Sequence, residues 1–254
     1  GIRLCKAERF VYKNSDMKDL EEKLKIAQNK KIKMIVTDGV FSMEGAIAKL
    51  DEVAALAEKY NALLTVDDSH AAGFMGKNGK GTPEMFNVTK KVDFLTGTFG
   101  KALGGASGGF TASTKKNVEF LRQRSRNYLF SNSLAPVIAG VNLFAVDFIM
   151  RHPELRGKLW DNVRLFRKMM QEAGFEISKQ EHPIVPVMLG DAKLAKQMAS
   201  ELFKEGIYVI GFSYPVVPEG KSRIRVQISS AHTKKDIKKA ALAFTKIAKK
   251  LHAI

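Results

Sequence analysis

Lys101 stands in a run of small residues, Thr98-Phe99-Gly100-Lys101-Ala102-Leu103-Gly104-Gly105-Ala106-Ser107-Gly108-Gly109. Glycine lets a backbone approach a ligand closely, and a lysine held in such a place tends to lose its water. That loss favours the neutral amine, the form that condenses with an aldehyde. Two other stretches carry matching chemistry. Asp67-Asp68-Ser69-His70 follows one apolar run, and Asp38-Gly39-Val40-Phe41-Ser42 continues another. Each residue alone has a commoner role: a loop lysine is usually solvated, an acid at a strand end usually caps a helix, and a lone histidine is usually structural. Together, at the ends of adjacent strands, they suit pyridoxal phosphate. A carboxylate keeps the pyridine nitrogen protonated so that the ring draws electrons, while the lysine takes the aldehyde. A hydroxyl and glycine amides hold the phosphate.

The elements that must position these residues follow from the hydrophobic pattern. Met34-Ile35-Val36-Thr37-Asp38, Ala62-Leu63-Leu64-Thr65-Val66-Asp67 and Val92-Asp93-Phe94-Leu95-Thr96 are nearly continuous apolar runs, with a helical pattern at 51–60 between the first two. This order predicts an α/β fold with a parallel sheet covered on both faces, and ligands bind beyond the C-terminal ends of such strands. Residues 108–113 predict a fourth strand, leading into a helix over 115–126. Upstream, 2–5 and 9–12 read as short strands, and Asn14-Ser15-Asp16 offers an N-cap for a helix with Leu20, Leu24 and Ala27 on one face. Ala135-Pro136 opens an apolar helix to 150 that His152-Pro153 breaks. A large domain is therefore expected over 1–150 and a small α+β domain over 151–254. The small domain should contain a helix to Ala173-Gly174, a strand at 184–189, a helix at 192–204 and strands at 207–210 and 223–228. Its closing helix places Ile237, Ala240, Ala241, Phe244, Ile247 and Leu251 on one face, with its lysines opposite.

Other chemistries fit less well. Around Gly100-Lys101, Leu95 and Ala102 stand where a P-loop needs its first glycine and its Ser or Thr, and no G-x-G-x-x-G follows a strand. The five histidines show no metal-ligand spacing, so no metal site is expected. Gly105-Ala106-Ser107-Gly108-Gly109 matches the G-x-S-x-G of serine hydrolases, but that elbow needs a strand before the serine and a helix after it. The net charge of +16 invites a nucleic-acid partner, yet the lysines are spread thinly without interleaved aromatics, and attraction of a polyanionic small molecule accounts for them better. No apolar run spans a bilayer. A single cysteine, Cys5, suits a reducing cytoplasm.

Thr-Phe-Gly-Lys-Ala-Leu-Gly-x-x-Ser at 98–107 resembles the attachment motif of class-II aminotransferases. With Thr37 to Gly45, Val66 to Phe74, and Tyr128-Leu129-Phe130-Ser131-Asn132-Ser133-Leu134-Ala135-Pro136, it makes the whole chain similar to the α-oxoamine synthases of the pyridoxal-phosphate fold type I class. The resemblance implies an aspartate-aminotransferase-like large domain plus a small C-terminal one. It implies pyridoxal 5′-phosphate as an aldimine on Lys101, Asp67 at the pyridinium nitrogen, and His70 at the ring oxygen. Ser42 and Thr98 would also contact the cofactor, Thr98 at its phosphate. Ser131 and Asn132 match residues that reach the cofactor of a partner subunit, so a homodimer with shared sites is implied. Arg225 matches the residue that grips the amino-acid carboxylate. Within the family the motifs are most like the branch that condenses glycine with acetyl-CoA to 2-amino-3-oxobutyrate and CoA, a step of threonine breakdown taken in reverse. A relative using another amino acid and a longer acyl-CoA is the neighbouring alternative. Family members begin well before Gly1, so the resemblance also implies an absent N-terminal portion, and with it a piece that has little activity alone or persists as an inactive dimerising module.

Overall fold

The computed structural model describes residues 1–178 and 180–254. The chain folds as two compact units, one of residues 1–40 and 48–147, the other of 41–47 and 148–254. Among the described residues no helix is long and apolar enough to cross a membrane.

The first unit begins with a 3-10 turn at Ile2–Leu4, and residues 9–12 form no regular element, so neither expected strand is present. Leu4 is 91% exposed and Val11 72%, and a short β-prone run with nothing to bury against gains little from extending. Helix α1 (Met17–Ile26) starts where expected, because the Asp16 side chain accepts from the amides of Lys18 and Asp19. Strand β1 (Met34–Asp38) runs into the short strands β2 (Val40–Phe41) and β3 (Ala46–Ile47), then α2 (Leu50–Lys59) and β4 (Leu63–Asp67). After a short helix α3 (Thr82–Met85) come β5 (Phe94–Thr98), β6 (Gly109–Ser113), α4 (Lys115–Arg124), α5 (Arg126–Phe130) and α6 (Pro136–Arg151).

The main sheet has the order β1-β4-β5-β6. β1/β4 and β4/β5 are parallel, whereas β5/β6 is antiparallel. The fourth strand reverses because only residues 99–108 separate it from β5, and a parallel crossover needs about a dozen or more. Leu20 and Leu24 of α1 and Val53, Ala54 and Ala57 of α2 form a buried core with Ile35, Leu64 and Val66 of the sheet. These strand residues alternate with Met34, Val36 and Asp38, which stay exposed on the other face of β1.

In the second unit, α7 (Pro153–Glu172) follows directly after His152, with proline in the first turn, where its missing N–H costs nothing. Then come β7 (Ile184–Gly190), α8 (Ala192–Lys204), β8 (Gly211–Phe212), β9 (Ser222–Gln227) and α9 (Lys234–Lys250). The sheet order is β7-β9-β8, all antiparallel. The strand expected over 207–210 is displaced to Gly211–Phe212, and Tyr208 and Ile210 point largely into solvent. α9 opens with a capping box between Thr233 and Asp236 and buries Ile237, Ala241, Phe244 and Ile247. Phe244 packs edge-on against Phe166 and Phe175 at ring separations of 6.0 and 6.3 Å. A cut near residue 150 would not assign residues 41–47 to this unit. Gln180 seats them there: its Oε1 accepts from the Ile47 amide at 2.8 Å, and its Nε2 donates to the Ile47 carbonyl at 3.3 Å.

Candidate active site

β1, β4 and β5 end level with one another. Asp38 is the register partner of Asp67, and Asp67 that of Thr96, so these three side chains form a row on one face. The Asp67 carboxylate accepts from the Ser69 amide at 3.0 Å and from the Thr96 hydroxyl at 3.0 Å. Burial alone would raise its pKa, but the hydrogen bonds from Ser69 and Thr96 and the charge of Lys101 outweigh it and hold the carboxyl below its ordinary value. Asp38 goes the other way. Desolvation, and after it the Asp67 charge, pushes it up, with Lys101 opposing. Asp67 is therefore the acid of this row whose ionised form the surroundings favour.

Lys101 lies in the turn after β5 and is exposed, contrary to the water-poor setting expected from its small neighbours. The loop packs instead through Gly105, where a Cβ would fall 1.8 Å from the Asn142 Oδ1. Asn142 is buried, and its Nδ2 donates to the Ser107 carbonyl at 3.1 Å. The Thr98 hydroxyl donates to the Gly108 carbonyl at 3.1 Å and accepts from the Gly100 amide at 3.1 Å, bracing the loop base. Ser107 leads into strand β6 and not into a helix, so the nucleophile-elbow geometry is absent.

His70 is half-buried in the turn after Asp67. That turn is closed by Asp68, which is fully buried and accepts from the Thr82 amide at 2.9 Å and the Thr82 hydroxyl at 2.6 Å. Burial raises the Asp68 carboxyl to about 6; the Thr82 hydrogen bonds oppose this, and the Asp67 charge adds to it. Ser131 and Asn132 follow α5 and are exposed. Among the described residues neither hydrogen-bonds to Asp67, Thr98 or Lys101. Ser42 and Arg225 belong to the second unit, where Arg225 Nη1 donates to the Ser42 carbonyl at 3.5 Å.

The donor set of the first unit fits pyridoxal phosphate. It offers a carboxylate kept ionised for a protonated ring nitrogen, and a lysine whose Nζ forms no hydrogen bond or ion pair among the described residues. The sequence pattern singled out Asp67 and Lys101 but not Thr96, Asp68 or Asn142. Thr96 emerges only from the strand register. Asn142 carried a weak signal, as a polar residue between Val141 and Leu143, whereas Asp68, flanked by Asp67 and Ser69, carried none of that kind.

Residues 1–244 match the family model for aminotransferase class I and II. The chain is 56% identical over 256 aligned positions to the 2-amino-3-ketobutyrate coenzyme A ligase of Escherichia coli K12, covering 100% of this chain and 64% of that enzyme. The chain belongs to the class I and II aminotransferase family. Another relative is the 8-amino-7-oxononanoate synthase of Thermosipho melanesiensis, 47% identical over 100% of this chain and 65% of that one. Among solved structures, one described as a high-resolution structure of SPT with PLP internal aldimine superposes with a TM-score of 0.96 at 31% identity, covering 100% of this chain and 64% of that one. The chain thus spans just under two thirds of the length of these relatives. Similarity of this kind also supports the α/β pyridoxal-phosphate transferase fold expected from the strand order.

Proposed function

We propose that this chain serves a pyridoxal 5′-phosphate-dependent acyltransferase that condenses glycine with acetyl-CoA to 2-amino-3-oxobutyrate and CoA. The observation that carries the reading is the ionised Asp67, braced by Thr96 and Ser69 and sharing a strand-end field with Lys101. The 56% identity to the E. coli ligase supports the choice of substrates. When bound, the cofactor supplies an electron sink that makes the glycine α-carbon acidic. Lys101 would hold the cofactor, and its Nζ, as a free amine, would take the proton from the glycine α-carbon. Asp67, whose ionised form its hydrogen bonds favour, would keep a proton on the ring nitrogen. His70 is assigned to the ring oxygen, Thr98 to the phosphate and Ser42 to a further cofactor contact. The Arg225 guanidinium, planar and two-pronged, takes the glycine carboxylate.

Ser131 and Asn132 are assigned to the cofactor of a second copy, which makes the working form a homodimer. Exposed apolar side chains on the same segment of chain support this: Phe120 of α4, Phe130 of α5 and Leu143 and Phe144 of α6. The charge of +16 suits a substrate as anionic as CoA. The free Cys5 suits a reducing compartment, and we place the protein in the cytoplasm.

The neighbouring reading is a synthase of the same family with another amino acid and acyl-CoA, favoured by the 47% identity to the Thermosipho enzyme. Loading with pyridoxal 5′-phosphate, borohydride reduction and peptide mapping should place one reduced cofactor on Lys101. Folded protein with no label there refutes the cofactor assignment. Thiol release is then measured across glycine, alanine and serine with acetyl and long-chain thioesters, and preference for a long-chain thioester refutes the glycine–acetyl-CoA pairing.

A further inference from the structure

β9 sends out two arginines from one face, two residues apart, and they meet residues 41–47 in different ways. Arg223 is 4% exposed, and its contacts are firm. Its Nη1 donates to the Met43 carbonyl at 3.1 Å and lies 3.7 Å from the Glu44 carboxylate. Its Nε donates to the Lys221 carbonyl at 2.9 Å. Arg225 is held loosely. Its Nη1 reaches the Ser42 carbonyl at 3.5 Å and the Met43 sulfur at 3.9 Å, both at the outer limit for such bonds. Its guanidinium lies 5.0 Å over the Phe212 ring, and its Nε is buried without a hydrogen-bond partner. One guanidinium is spent on the protein, and the other keeps donors for something else.

The segment these arginines meet is fixed at separate points. Gln180 grips both backbone groups of Ile47. Gly45 has a positive φ of 61° and lies so close to β7 that a Cβ would stand 2.7 Å from the Ile184 carbonyl, which makes glycine the fitting residue there. Arg223 supplies the remaining anchor, at Met43, next to the two atoms that Arg225 touches.

We infer that Arg223 is a positioning residue: by holding the Met43 carbonyl it seats residues 41–47 against β9 and so sets the orientation in which Arg225 meets a substrate carboxylate. The inference rests on the proposed carboxylate role of Arg225. A guanidinium suits the anchoring task because its fixed fork reaches the Met43 and Lys221 carbonyls and the Glu44 carboxylate together, and a lysine ammonium on a flexible stem does not reproduce that fork. The two arginines divide the work by burial: the covered one orders the backbone, and the less covered one binds ligand.

The test compares R223K, R223Q and R225K in cofactor-loaded protein. Hydrogen–deuterium exchange of the peptide spanning 40–47 should quicken about 10-fold in both Arg223 variants and stay unchanged in R225K. Unchanged exchange in a peptide covering β7 serves as the folding control. The glycine concentration that half-saturates the change in cofactor absorbance should rise about 10-fold in R223K, with its full amplitude retained, and R225K should lose saturation. Wild-type protection of 40–47 in both Arg223 variants overturns the positioning role, whatever Arg225 does. Unaltered glycine saturation in R225K refutes the carboxylate assignment, and the positioning inference falls with it.

Discussion

Replacing Asp68 by asparagine removes a buried acid without changing its size, and the consequence is a stability difference that depends on pH. Asp68 is fully covered, with Gly39 and Gly81 pressed so close that a Cβ on either would fall 2.2 or 1.7 Å from its carboxylate oxygens. Burial lifts its pKa from 3.8 to about 6 in spite of the two bonds from Thr82. The folded state therefore keeps this proton to higher pH than the unfolded chain does. The stability it contributes is fully present below the unfolded pKa and is lost as pH rises through the folded value. The whole shift is worth about 3 kcal/mol, of which about 2 kcal/mol falls between pH 4.5 and 7.5. The Asp68→Asn protein lacks this loss. The Thr82 amide bond that an asparagine NH2 cannot accept adds an offset, but the offset is common to every pH and drops out of the comparison. Urea unfolding of both proteins, followed by circular dichroism across that range, should show the variant gaining about 2 kcal/mol on wild type as pH rises. Other titrating groups, Asp38 among them, cancel in the difference. Curves that stay parallel to within about 0.5 kcal/mol would show that Asp68 is not the buried, proton-retaining group described here.

Gly105→Ala forces a methyl onto Asn142, which the loop can relieve only by shifting. It is expected to lower stability by about 1–3 kcal/mol and to reduce borohydride-trapped cofactor on Lys101, checked by thermal melting and mass spectrometry. Asp67→Asn removes the like charge that, after desolvation, raises Asp38. The Asp38 carboxyl should then titrate lower, as carboxyl-carbon NMR would register, and an unmoved Asp38 would mean that the row is not electrostatically coupled. In the second unit, Phe244→Ala empties the centre of the core formed with Phe166 and Phe175 and is expected to cost about 3–5 kcal/mol, read from denaturant midpoints.

Periodic and capped elements were legible from the sequence. α1 needed only Asp16 and the Leu20–Leu24 spacing, and α9 needed only its apolar stripe, with the Thr233–Asp236 capping box seen first in the structure. Strands that depend on a partner were less legible. Residues 9–12 and 207–210 have the right composition, but the chain offers the first no sheet and pairs the second only from Gly211 onward. The direction of β6 was readable in principle from the length of residues 99–108, since that connection is too short for a crossover. Residues 41–47 could not be assigned from local pattern, because what seats them, Gln180 and Arg223, lies far along the chain.

The pair Asp67-Asp68 shows most directly why the site was half readable. Two identical side chains, adjacent in sequence, titrate in opposite directions: Asp67 is held low, and Asp68 is raised to about 6. Composition cannot separate them, but the pleat does. The Asp68 amide still donates to the Thr96 carbonyl at 2.8 Å, so the extended backbone continues past the last residue of β4 and successive side chains take opposite sides. Asp67 falls on the face of Asp38 and Thr96, where hydrogen-bond donors and Lys101 keep it charged. Asp68 falls on the other side, among Gly39, Gly81 and Thr82, where no cation among the described residues compensates it and burial dominates. The two positions also answer to different demands. The proposed partner of a protonated ring nitrogen has to be an anion, and the surroundings of Asp67 favour that form. A group that must close the turn carrying His70 needs only to accept from Thr82, and a raised pKa does not prevent it from doing so. Exchanging the roles would require shifting the strand by one residue, which would also carry Val66 out of the core and onto the face of the active site.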